Sequence, residues 1–76
     1  MQSSQHALTK EQKLDVIDMA GYSVQVIAIP EMLVKRLILR KDKMEFYKDF
    51  GGMDVSESDM PHHAFDFFLE IQNATN

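Results

Sequence analysis

The chain contains no cysteine and no tryptophan, and only three of its 76 residues are glycine and two proline. Without cysteine there is no disulfide framework and no thiolate metal site. So few glycines leave no room for a glycine-rich phosphate loop, and neither a His-Glu-x-x-His helix nor a Gly-x-Ser-x-Gly elbow occurs. No apolar run approaches the roughly 18 residues of a membrane helix. The start, Met-Gln-Ser-Ser-Gln-His, lacks the charged-then-apolar layout of a secretory leader. The resulting expectation is a cytoplasmic, non-membrane protein.

What is present is an ordinary apolar fraction of 45% and a formal charge of −4. The apolar content suits a folded domain, although a chain this short buries only about 60% of its unfolded surface. A partner subunit is the natural supplement where disulfides are absent. The charge is unevenly spread. Residues 1–34 sum to −2, residues 35–48 to +4, with six cations against two acids, and residues 49–76 to −6, with no Lys or Arg. The plainer interpretation is neutralisation across the fold or across a dimer. The sharper one is a basic patch or an acidic docking face.

Local signals divide the chain into a flexible start at residues 1–8, one compact domain over 9–73 and a flexible tail at 74–76. Thr9 with Gln12 forms a capping box, and Gly21 supplies a stop, so residues 10–20 read as a helix whose Leu14 and Ile17 face the core. Residues 24–29, Val-Gln-Val-Ile-Ala-Ile, have strand composition and end at Pro30, with a short buried helical turn as the alternative. From Pro30 the pattern predicts helix again. Leu33, Val34, Leu37 and Ile38 share one helical face. Met44, Phe46, Tyr47 and Phe50 fall on the opposite one, so a break is placed near residues 41–43. Gly51-Gly52 ends this region, and a last helix opens with Ser58 or Asp59 and Pro61 and runs to about residue 72. The expected fold is mainly α, with one short strand that could pair with its twin across a homodimer.

The last helix strengthens the expectation of a dimer. Ala64, Phe65, Phe67, Phe68, Leu69 and Ile71 cover an arc of about 200°, twice what docking on one core requires. The alternative is that the first helix and residues 32–50 sandwich this helix within one molecule. The candidate dimer interface is Val24, Val26 and Ala28 with Phe65, Phe68 and Leu69.

Catalytic chemistry is not legible. His62 and Asp66 have i, i+4 spacing, with His63 and Glu70 close by, but such sets arise often on solvated helix faces. A metal-dependent hydrolase is the least favoured reading, and no metal, cofactor or catalytic residue is assigned. His6 lies in the expected flexible start.

Two segments are similar to DNA-binding families. Asp15-Val16, Ala20-Gly21, Ser23, Gln25 and Ile27 resemble the helix-turn-helix of the lactose repressor. Ile17 and Pro30 depart from that pattern, Pro30 falling inside the recognition helix. An apolar strand followed by Pro30-Glu31-Met32-Leu33 and Leu37 resembles the ribbon-helix-helix family of Arc and MetJ repressors. That resemblance implies a ribbon at 24–29, helices at 31–40 and 60–72, and a dimer that binds DNA. With Ile27 and Ile29 inward, the outward ribbon residues would be Val24, Val26 and Ala28, which offer bases no donors or acceptors. The expectation is therefore a small regulator that binds protein, of the inhibitor, anti-repressor or adaptor kind. Arg36, Arg40, Phe46 and Tyr47 are its candidate contact residues, since Arg and aromatics dominate interface hot spots. The alternative is a dimeric DNA-binding regulator that sets Lys35, Arg36, Arg40, Lys41 and Lys43 on phosphates.

Overall fold

The computed structural model describes residues 8–51 and 55–75, with backbone only at Thr75. Its elements run α1 (Lys10–Met19), β1 (Ser23–Ile29), β2 (Val34–Lys41), β3 (Met44–Gly51) and α2 (Met60–Thr75). Short 3-10 turns at Pro30–Met32 and Glu57–Asp59 link β1 to β2 and lead into α2. The three strands form one antiparallel meander with β2 in the centre. The flexible start expected at residues 1–8 falls almost wholly outside the described residues, as do His6, Asn76 and residues 53–54 of the expected loop.

Helix α1 begins as its sequence predicts. Gln12 N donates to the Thr9 hydroxyl at 3.1 Å, and Thr9 N donates to Gln12 Oε1 at 2.9 Å, which closes the capping box. Gly21 takes a φ of 93°, which only glycine adopts at little cost, and turns the chain into β1. Ile17 is fully buried, whereas Leu14, expected in the core, is substantially exposed.

The fold class departs from expectation. Residues 34–41 and 44–51 are strands, so the chain is α+β with a three-stranded sheet and not mainly α with one strand. The physical reason lies in β2. As the central strand it is flanked on both edges, with Leu37 and Leu39 buried under the helices and Ile38 only 9% exposed on the opposite face, so the three read as a continuous apolar run. Such short runs fit either period. The break expected at residues 41–43 is a two-residue hairpin turn, with Lys41 facing Met44 and Asp42 at φ 55°. The segment 24–29 is indeed a strand, but it pairs with β2 of its own chain from Ser23↔Arg40 to Ile29↔Val34. Among the described residues no strand is left wholly unpaired to call for a twin.

Residues that face one another in the register point to one side of the sheet. Val24, Val26, Leu37, Leu39, Phe46 and Phe50 share the side on which both helices lie. There Leu37, Leu39, Tyr22 and Ile17 form one core with Ala64, Phe68 and Ile71 of α2. Tyr22 meets Phe68 edge to face at a centroid distance of 5.6 Å. Helix α2 is thus contacted by α1 and by the sheet within one chain, which accounts for its broad apolar arc. Phe68 belongs to the core and Phe65 packs against it, while Leu69 alone of the three expected dimer residues on α2 is exposed.

Candidate functional site

The opposite side of the sheet carries no layer of its own among the described residues. Its side chains are Ser23, Gln25, Ile27 and Ile29 from β1, Val34, Arg36, Ile38 and Arg40 from β2, and Glu45, Tyr47 and Asp49 from β3. The inward set assumed from sequence is inverted here. Ile27 and Ile29 lie on this uncovered face, whereas Val24, Val26 and Ala28 lie on the helix side.

Two cross-strand ion pairs frame the centre of the face. Arg36 grips Asp49 through two parallel bonds, Nε to Oδ1 at 2.7 Å and Nη2 to Oδ2 at 2.9 Å. The guanidinium also stacks over the Tyr47 ring, 4.3 Å from its centroid. Arg40 meets Glu45, with Nε donating to Oε2 at 2.9 Å and Nη2 reaching the same oxygen. The hydrogen bond from Arg36, helped by its charge and opposed by desolvation, holds the Asp49 carboxyl below the usual carboxylate range. The Arg36 guanidinium is raised in turn, chiefly by the same hydrogen bond. Ile38 sits between these pairs and is only 9% exposed, although no helix of the described residues packs on this face.

Of the contact residues expected from sequence, Arg36, Arg40 and Tyr47 share this face. Phe46 does not. It points to the helix side and lines a groove of about 230 Å³ with Phe67, Glu70, Ile71 and Ala74. The arginines stay together because a spacing of four residues preserves the face on a strand as it does on a helix. Sequence reasoning missed Glu45, Asp49 and Ile38, although the alternation of residues 44–50 (Met-Glu-Phe-Tyr-Lys-Asp-Phe) carried a period-two signal.

The basic stretch is divided by the same parity. Lys35, Lys41 and Lys48 lie on the helix side, away from Arg36 and Arg40. Lys35 donates to the Val55 carbonyl at 3.2 Å, Lys41 lies over the Tyr22 ring, and Lys48 bridges to Glu70 at 2.9 Å. His62 and His63 are occupied locally. Lys13 Nζ lies 2.9 Å from His62 Nδ1, and His63 packs on Phe50. Among the described residues no three His, Asp or Glu side chains converge as a metal site, and no helix is long and apolar enough to cross a membrane.

Compared with protein-family models, with curated proteins and with solved structures, the chain matches none.

Proposed function

We propose that this chain is a small, non-enzymatic, cytoplasmic binding protein that recognises a protein partner through the uncovered face of its sheet. The observation that carries the reading is the Arg36–Asp49–Tyr47 cluster beside Ile38. Arg and Tyr are the residues most enriched in interface hot spots. The bidentate bridge and the ring stack hold Arg36 in place before any partner arrives, so little side-chain freedom is lost on binding. Interleaved charges around an apolar centre also suit a protein surface better than a phosphate backbone. A nucleic-acid footprint would need its cations aligned and unneutralised, and here strand parity divides them while Asp49 and Glu45 offset the two arginines.

The face presents only the eleven side chains named above. A standard stable interface uses about 20–30 residues a side. A partner confined to this face binds transiently, as a regulator's would. The same shortfall means that a homodimer joined through this face alone would be weak.

The test is capture of partner from native lysate on the immobilised chain, with and without nuclease, followed by reconstitution with the purified partner. Capture should survive nuclease, fall at least tenfold in Arg36→Gln/Tyr47→Ala, and persist in Met19→Ala, whose side chain is exposed at the end of α1. Loss of capture with nuclease would favour the DNA-binding alternative. Capture unaffected by the double variant would place the site elsewhere. A particle of twice the chain's 8.8 kDa with no further component would make a second copy the occupant.

A further inference from the structure

Among the described residues the sheet has two free edges, and they are unlike. β3 reads Met-Glu-Phe-Tyr-Lys-Asp-Phe-Gly, with three charged residues, and α2 reaches its flank through the Lys48–Glu70 bridge. β1 reads Ser-Val-Gln-Val-Ile-Ala-Ile, with no charge, no proline and an unbroken register against β2. Charges, prolines and bulges are the devices by which natural sheets keep edges from pairing. β1 has none of them, and Ser23, Gln25, Val26 and Ala28 are exposed. An antiparallel ladder uses the N–H and C=O of alternate residues. Every second residue of β1 therefore aims its donor and acceptor away from β2.

A second observation points to what pairs there. Beside the middle of β1, on the helix side, lies a groove of about 260 Å³ lined by Val26, Met60 and Glu57. A strand added to β1 would alternate its side chains between the two faces. The residue opposite Val26 would point into that groove. Glu57 is exposed and gives the lining an acidic side chain.

We infer that β1 is a strand-addition site for an extended segment of a partner protein that places an apolar side chain opposite Val26 and a Lys or Arg close to Glu57. Main-chain hydrogen bonds supply the attachment, and the groove supplies the selection. This goes beyond the open-face reading, and the two can fail separately. The edge and the face are read out by different residues.

The test titrates the isotopically labelled full chain with a capped heptapeptide of alternating threonine and valine, carrying leucine at its centre and lysine at one end. Saturable amide shifts and slowed hydrogen exchange are expected in β1, with β3 unmoved. Glu57→Lys should weaken binding about three- to fivefold, the size of one exposed ion pair. Replacing the peptide's lysine with glutamate should restore it. The inference is overturned if shifts map to β3 or to Arg36 and Tyr47, or if none appears at millimolar peptide. β1 shifts produced by raising the protein concentration alone would also overturn it, because a second copy would then hold the edge. Unchanged affinity in Glu57→Lys would overturn the assigned partner chemistry.

Discussion

Along β2, neighbouring residues meet two different environments. Leu37 and Leu39 lie under both helices and are fully buried, packed among Ile17, Tyr22, Ala64, Phe68 and Ile71. Ile38, between them in sequence, is nearly as well hidden, yet it belongs to no packed core. Gln25 and Tyr47 stand opposite it in the register, and Arg36 and Arg40 lie two residues away on the same side of the strand. On one side water is excluded by close packing that only unfolding removes. On the other it is excluded by side chains that can part when another surface arrives. Low exposure alone therefore does not identify a core residue.

The largest effect should come from removing a packed side chain. Leu39→Ala loses transfer energy and leaves a cavity, so it should cost about 2–5 kcal/mol. Ile38→Ala loses transfer energy alone, because the space it vacates opens to solvent. At about 0.8 kcal/mol per methylene its cost should be about 2 kcal/mol. Urea midpoints at constant slope measure both. If Ile38→Ala proves as costly as Leu39→Ala, the face is covered in solution, and the contrast between the two sides fails.

The same contrast explains what the sequence made legible. Both helices were readable because each signal was local. The Thr9–Gln12 box and Gly21 bound α1, and Pro61 opens α2. β1 was readable from its β-branched residues. β2 and β3 were not, because Lys, Arg, Leu and Met favour helices and residues 33, 34, 37 and 38 also satisfy a helical face. The turn between them is Asp42-Lys43, which lacks the Asn-Gly signature of tight hairpins. Without the hairpin, the cross-strand partners of Arg36 and Arg40 could not be inferred, since Arg36–Asp49 spans thirteen positions. Arg36 and Arg40 were picked out by residue type and a spacing of four, Phe46 and Tyr47 by type and nearness in sequence, and neither criterion could separate Tyr47 from Phe46, which faces the other side.

A smaller effect, of opposite sign, is expected where the chain passes from one strand to the next. Leu33 adopts φ 56°, ψ 40° and is 78% exposed, so no packing offsets its left-handed backbone. Leu33→Gly should raise stability by up to about 1 kcal/mol, the strain relieved less the added freedom of the unfolded chain. Asp42→Gly should gain less, because Asp tolerates that region better. A destabilised Leu33→Gly would mean that the leucine packs against the uncovered face in solution and belongs to it.

The smallest effect concerns the Arg36–Asp49 pair, and its sign follows from the direction of the shift. The folded Asp49 carboxyl is held below its unfolded value, first by the hydrogen bond from Arg36 and then by that residue's charge. The folded state therefore binds this proton less readily than the unfolded chain does. The pair's contribution is fully present above the ordinary aspartate value of about 3.9. It is lost as pH falls through the lower folded value. Between pH 6 and 8 this pair should impose no slope on stability, and below about pH 4 it should add one. Both side chains remain about a quarter exposed, at 27% and 28%, so solvent screening keeps the effect small. Asp49→Asn should remove that part of the acid slope by lowering stability slightly at pH 6, the difference from the parent chain shrinking toward acid. The measurement is urea unfolding of both forms at pH 6 and pH 3. Identical acid slopes would show that Arg36 does not hold Asp49 in solution. The uncovered face would then lose the pre-organised arginine that distinguishes it from an ordinary solvated sheet.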